Sequence, residues 1–235
     1  MTAKIGETSF ETAVSVSTLC CSASALILHL HLERPADHPN PENKSKKVLI
    51  WGASSSFGAY ASQMAARAGY AVVGVASAKN AQLVKSFGAM HLVDRRSPTV
   101  TQELIDIGPF EAVLAASDSA QDQVVLGDVL VAQGGGTFVA TIGVWPGVEL
   151  PSGVTGIFAA FLPDYLDPQN REFTEWVWWE FLESEFASGR LQSVPVRALG
   201  GLDKVQEAWK LLKEHKVSGE RLAITPSLKL LQHYI

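Results

Sequence analysis

The sequence is short of cysteine, of basic charge and of uninterrupted apolar stretches. Its two cysteines, Cys20 and Cys21, are adjacent. Neighbouring cysteines rarely suit a disulfide with each other, and two thiols alone cannot complete a structural zinc site. The composition therefore favours a reducing, cytoplasmic setting. A formal net charge of -5 argues against a duplex nucleic-acid binder, because such a protein needs a basic face.

An uncharged stretch lies near the N-terminus, from Thr12 to Leu32. Serines and two histidines interrupt it, and Glu7 and Glu11 stand where a secretory signal would carry basic residues. A membrane span needs about 20 mostly apolar residues, so a buried helix is the better interpretation. We therefore expect residues 1–33 to form a helical segment, with no membrane association.

Apolar runs and helical segments alternate through the middle of the chain. Strands are predicted over residues 48–51, 71–75, 91–93, 111–115 and 136–141, with a sixth over 154–162. Helices are predicted over residues 59–69, 80–87 and 120–132. This alternation predicts an α/β fold in residues 46–165, with a doubly wound parallel sheet and helices on both faces.

The remaining residues, 166–235, have a different pattern. A long helix is predicted over residues 170–188, a strand over 192–198, a helix over 203–215 and a short strand over 221–224. The long helix carries Trp176, Trp178 and Trp179. Since neighbouring helical positions point to different faces, one core cannot easily bury all three, and we expect one to face a partner subunit.

The turn after the first predicted strand is the most informative motif. A diphosphate binds at such a turn, because small residues let the backbone approach the phosphates and the helix N-terminus supplies amide donors. The spacing departs from G-x-G-x-x-G, and the alternative is a tight turn without a ligand. The candidate cofactor-binding residues here are Gly52, Ser54, Ser55, Ser56, Phe57 and Gly58.

Motifs of several other enzyme classes are absent. No tyrosine is followed four residues later by lysine, no Gly-Lys-Ser/Thr follows the first strand, and the nucleophile-elbow pattern is not matched. The six histidines are scattered, and His29 and His31 would lie on different faces of a helix. We therefore expect no metal site.

The segment from Trp51 to Gly58 resembles the phosphate loop of the medium-chain dehydrogenase/reductase superfamily. It is most similar to zinc-independent quinone- and enoyl-reductase-like members, including fungal trans-enoyl reductases. Four further segments of this sequence resemble family landmarks and follow in the same order: residues 61–65, 87–89, 93–94 and 216–222. The resemblance spans about residues 10–226. It implies a Rossmann-like fold and an NADP(H)-binding oxidoreductase that reduces an enoyl or carbonyl compound, with a small apolar or acyl-type substrate.

The end of the second predicted strand bears on the choice of dinucleotide. An NAD site usually has Asp or Glu there, whereas this sequence has Ser77, Lys79 and Asn80. By resemblance, NADP is favoured, with Ser77 and Lys79 holding the 2′-phosphate; the alternative is a solvated lysine. Arg95 and Arg96, after the third strand, either border the adenine or are merely solvated.

Further candidates follow the later strands, where open α/β folds place ligands. Ser117 and Gly143 are candidates for cofactor contact. Asp118 is a weak catalytic candidate as an acid or base, although an Asp here more often caps the next helix. Tyr165 is a second weak candidate; with Trp145 it either lines an apolar pocket or packs in the core.

In the resembled family, a barrel-like domain precedes the cofactor domain and forms much of the substrate pocket. We expect this sequence to lack that domain, which would leave residues 166–235 as its remnant and the cleft open. A redox-independent isomerase, cyclase or lyase and a non-catalytic accessory protein are therefore alternatives to the reductase. The resemblance also implies a homodimer through the strand near residues 153–160.

Overall fold

A computed structural model describes Lys4, residues 6–15 and residues 17–226. The remaining residues of the two expected terminal segments, 1–33 and 166–235, lie outside the described part of the chain. The strands are β1 Lys47–Trp51, β2 Ala71–Ala76, β3 His91–Asp94, β4 Ala112–Ala115, β5 Gly136–Ala140, β6 Val154–Phe158, β7 Val196–Gly200 and β8 Arg221–Ile224. The α-helices are α1 Phe10–Ser15, α2 Ser17–Ala23, α3 Ser56–Arg67, α4 Ala81–Ser86, α5 Val100–Ile107, α6 Ala120–Ala132, α7 Phe161–Leu166, α8 Arg171–Glu175, α9 Leu182–Ser188 and α10 Val205–Lys213.

Six strands form one parallel sheet in the order β3-β2-β1-β4-β5-β6. Ile50 of the central strand β1 is level with Gly74 of β2 and Leu114 of β4. The strand order reverses between β1 and β4, and doubly wound folds bind ligands beyond the carboxyl ends of the strands at such a point. The predicted doubly wound fold is confirmed.

The central strand is apolar throughout because both of its faces are covered. Val48 and Ile50 pack in a core that includes residues of α2 and α3, and Leu49 and Trp51 pack in a second core with residues of α5 and α6. Successive side chains of a strand point to opposite faces. A continuous apolar run is therefore what a strand between two helical layers requires.

In the described residues, the uncharged N-terminal stretch is helical as far as His29, whereas residues 30–32 lie outside the helix, and most of residues 19–29 are buried. α2 continues into a π-helical turn, Ser24–His29, and packs against α3. Leu19, Ala23 and Leu26 on this stretch are at most 2% exposed. No helix in the described ranges is long and apolar enough to cross a membrane.

The C-terminal region differs in detail from the sequence-based prediction. The expected long helix consists of α8, a π-helical turn at Trp176–Phe181 and α9. Trp176 and Trp178 pack against the core, whereas Trp179 is 51% exposed. The predicted strand 192–198 instead runs over Val196–Gly200, where it pairs in parallel with β8.

Two further corrections concern the sheet and its crossovers. The sixth strand ends at Phe158 rather than at residue 162, because Phe161 already begins α7. Helix α5 was not predicted. Ser97 and Thr99, which precede it, both donate to the Glu103 carboxylate in the first turn, although the N-cap Thr99 makes no side-chain hydrogen bond to the helix backbone.

Candidate functional site

A cleft of about 930 Å³ lies at the carboxyl edge of the sheet, beyond the ends of β1 to β4. One wall is formed by the turn after β1 and by the residues that follow β2, β3 and β4, and the other by the chain between α10 and β8. Its volume is within the range of small-molecule and cofactor sites. The predicted site residues that line it are Gly52, Ser54, Ser55, Ser56, Ser77, Lys79, Asn80, Arg95 and Ser117.

The turn after β1 requires glycine at two positions. Gly52 has φ +77°, and a Cβ there would lie 2.7 Å from the Ser117 backbone nitrogen. A Cβ at Gly58 would lie 2.4 Å from the Gly52 carbonyl oxygen. Gly52 therefore lets β1 turn beside β4, and Gly58 lets α3 approach the turn, although Gly58 itself does not line the cleft.

The mouth of α3 presents unsatisfied backbone donors. Ser55 is the N-cap, and its hydroxyl accepts a 3.0 Å hydrogen bond from Gly58 N. The backbone N–H groups of Ser54, Ser56 and Phe57 donate to no acceptor in the described part of the chain. Such donors at the positive end of a helix dipole suit an anion.

The Phe57 side chain does not fill this hollow. It is 6% exposed and meets Phe161 edge-on, with ring centroids 5.5 Å apart. Ser54, Ser55 and Ser56 are the side chains of the turn that line the cleft. The residues present therefore fit a diphosphate held by backbone amides.

Cationic side chains follow β2 and β3. Lys79 and Arg96 are exposed, line the cleft and have no carboxylate partner among the described residues. Arg95 also lines the cleft, but its guanidinium binds the Asp122 carboxylate and lies 6.0 Å from the Trp51 ring centroid. The two cations available for a ligand phosphate at this end are thus Lys79 and Arg96 rather than Arg95.

The N-terminus of α6 corrects one expectation. Ser119, not Asp118, caps the helix, and it forms a capping box with Asp122. Asp118 instead accepts a 2.7 Å hydrogen bond from Gln123 Nε2. Burial raises the pKa of the Asp118 carboxyl, but its side chain does not line the cleft.

Two other candidates lie away from the cleft. The Tyr165 hydroxyl is buried and donates a 2.6 Å hydrogen bond to the Cys20 carbonyl, and burial raises the pKa of this phenol. Gly143 accepts from Gln123 Nε2 at 2.8 Å in the loop after β5. Trp145 is held to the same Gln123 through its backbone nitrogen. These contacts are structural, so we assign Tyr165 no catalytic role.

The second wall was not predicted as part of a site. Leu212, His215, Ser218 and Arg221 all line the cleft. The only sequence feature that pointed to this wall was the segment 216–222, which resembles a family landmark. Nothing in the sequence indicated that this segment lies beside the phosphate turn. No group of three or more His, Cys, Asp or Glu side chains within the described ranges is arranged to hold a metal ion.

Comparisons with curated proteins identify relatives among fungal reductases, while no protein-family model matches the chain. The trans-enoyl reductase himH of Aspergillus japonicus is 33% identical over 215 residues, which cover 89% of this chain and 61% of that protein. The trans-enoyl reductase ffsC of Aspergillus flavipes is 32% identical over 203 residues, with 79% and 54% covered. The chain therefore spans less than two thirds of the length of these relatives.

Solved structures share the fold at low sequence identity. The CurK enoyl reductase superposes with a TM-score of 0.70 at 19% identity, over 95% of this chain and 65% of that one. The structure of CurA in complex with NADPH from Vibrio vulnificus gives a TM-score of 0.64 at 13% identity, over 94% and 67%. The chain therefore shares its fold with these proteins.

Proposed function

The chain is a homologue of the fungal trans-enoyl reductases, with the fold of medium-chain dehydrogenase/reductases, and from this premise we propose that it is an oxidoreductase that binds NADPH. The observation that carries the proposal is the α3 mouth, where three backbone N–H groups have no acceptor among the described residues. The exposed cations Lys79 and Arg96 line the same cleft. A diphosphate and a 2′-phosphate need those two features side by side.

Two parts of the first wall have separate tasks in this proposal. The amides of Ser54, Ser56 and Phe57 hold the diphosphate. Ser77, Lys79 and Arg96 hold the 2′-phosphate, because no carboxylate stands at the end of β2 to bind a free ribose hydroxyl. When bound, the nicotinamide supplies the hydride that reduces an enoyl or carbonyl compound of apolar or acyl type.

Cofactor titration tests the proposal directly. We expect purified protein to change NADPH fluorescence saturably and to bind NADPH at least tenfold more tightly than NADH, since only NADPH carries the phosphate that meets the cations. Absorbance loss at the NADPH band with an enoyl thioester then measures turnover. Absence of NADPH binding at millimolar cofactor would refute the proposal. Turnover that persists after removal of the nicotinamide would favour the redox-independent alternative.

We also propose a homodimer through β6. Among the described strands, β6 pairs only with β5 and is therefore an edge of the sheet. Phe158 on β6, Ile142 in the preceding loop and Leu162 on α7 are each more than half exposed. Exposed edges and apolar patches favour association. Light scattering at micromolar concentration tests this, and a monomeric mass would contradict it.

A further inference from the structure

The side-chain amide of Asn80 joins the two walls of the cleft. Its Nδ2 donates to Ser54 Oγ, in the turn after β1, and to Ser218 Oγ, between α10 and β8, with both distances 3.0 Å. Within the described ranges, no other hydrogen bond connects residues 216–220 to the elements from β1 to β6. One side chain therefore holds the second wall to the phosphate turn.

Packing at Gly219 shows how closely the second wall approaches Asn80. Gly219 has φ +70°, and a Cβ there would lie 2.8 Å from Asn80 Oδ1 and 3.2 Å from Leu83 Cδ2. The backbone after Ser218 thus rests directly on the Asn80 amide. The distance between the two walls is set at this residue.

The hydrogen bonds that Asn80 donates determine whether the two serine hydroxyls can still donate to a ligand. A side-chain amide has two N–H donors, and a hydroxyl has one hydrogen besides its acceptor lone pairs. Because Asn80 donates to both Ser54 and Ser218, each hydroxyl keeps its own hydrogen. No acceptor in the described part of the chain takes either hydrogen, and both serines line the cleft. An anion between the walls would accept a hydrogen bond from each hydroxyl.

We propose that Asn80 is a positioning residue that directs the hydroxyls of Ser54 and Ser218, from opposite walls, towards one phosphate group of a bound dinucleotide. The identity of the ligand rests on the proposed function, whereas the anion site rests on the hydrogen-bond arrangement. The N–H groups of Ser54 and Ser56, which meet no acceptor among the described residues, lie in the same turn as the Ser54 hydroxyl and add donors from the first wall. Arg221, which also lines the cleft, adds a positive charge from the second.

A double-mutant cycle on Asn80 and Ser218 tests this coupling. The variants are Asn80→Ala, Ser218→Ala and the double substitution, with NADPH followed by fluorescence and inorganic pyrophosphate by calorimetry. We expect Ser218→Ala to weaken NADPH binding roughly tenfold or more, which is the loss of about one hydrogen bond to a charged group. Asn80→Ala should weaken it further, because both hydroxyls then lose their direction. The double variant should be no weaker than Asn80→Ala, because the Ser218 hydroxyl is directed only while Asn80 is present.

Three controls separate positioning from stability. Ser86→Ala removes an exposed serine of α4, whose hydroxyl bonds the Leu83 carbonyl at 2.8 Å within the same helix, and should leave both affinities unchanged. Thermal midpoints of the Ser218 and Asn80 variants should stay within about 2 °C of the wild type. Asn80→Gln retains both N–H donors and should recover part of the affinity.

Each outcome bears on a different claim. Wild-type affinity in both single variants, or losses that simply add, would overturn the positioning role and leave NADPH binding intact. Protein that binds pyrophosphate but not NADPH, with the same losses in the variants, would refute the proposed function and support the anion site. Binding of neither ligand by the wild type would overturn both.

Discussion

The Arg95 guanidinium binds the Asp122 carboxylate, whereas Arg96, the next residue, lines the same cleft with no carboxylate partner in the described part of the chain. Adjacent arginines therefore have different roles. Arg95 links the end of β3 to the capping box of α6, since Asp122 also accepts from the Ser119 hydroxyl at 2.6 Å. Arg96 is left to interact with a ligand.

Replacement of Arg96 by Ala should weaken the affinity for NADPH roughly tenfold and leave the affinity for NADH unchanged, because the lost charge would face only the 2′-phosphate. Fluorescence titration with both cofactors measures this. Lys85→Ala, which removes an exposed lysine of the nearby helix α4, serves as the matched control. Equal weakening of both cofactors would place Arg96 at the diphosphate instead, and no change would remove it from the site.

The sheet could be predicted from the sequence because local signals determine it. The apolar run ending at Trp51 and the glycines that close the following helices each indicate their element without reference to distant residues. The Ser119–Asp122 capping box was equally local, but the neighbouring Asp118 was preferred as the cap. Asp118 was chosen by residue type alone, without asking which candidate cap has an acidic residue three positions later.

The second wall of the cleft could not be predicted in this way. Ser218 meets Asn80 only because α10 and the β7–β8 pair return the chain to the phosphate turn. No periodicity or spacing in the sequence encodes that approach. The same holds for Tyr165, whose hydroxyl is taken by the Cys20 carbonyl. Burial against a distant helix decided its role.

Substitution of Gly52 by Ala should destabilise the fold by about 3 kcal/mol, because it adds left-handed backbone strain to a clash with Ser117. Gly134→Ala is the matched comparison, since Gly134 has φ +98° but open space around its Cβ position. It should cost only about 1 kcal/mol. Urea denaturation measures both. Equal losses would mean that the approach to Ser117 relaxes without cost.

Glu185 should be the most sensitive acidic residue of α9. It is 1% exposed and pairs with both Arg67 and Arg190, and Arg190 also reaches Asp37 at 3.1 Å. Glu185→Ala leaves the half-buried Arg67 unpaired, so we expect a loss of about 3 kcal/mol in the free energy of unfolding. Glu180→Ala, at an exposed position one turn earlier, should change it by less than about 0.5 kcal/mol. Similar values for the two variants would contradict the role of the buried pair.

Burial raises the pKa of the Cys20 thiol to about 12. At pH 8 only about one molecule in ten thousand would carry its thiolate, so a disulfide reagent should label Cys20 slowly until the protein is unfolded. Because the folded-state pKa lies above the unfolded pKa near 9, the contribution of this thiol to the free energy of unfolding is fully present below pH 9. It is lost as the pH rises towards 12. Labelling of a Cys21→Ser variant at pH 8, with and without urea, isolates Cys20. Rapid stoichiometric labelling of the folded variant would contradict the burial of Cys20.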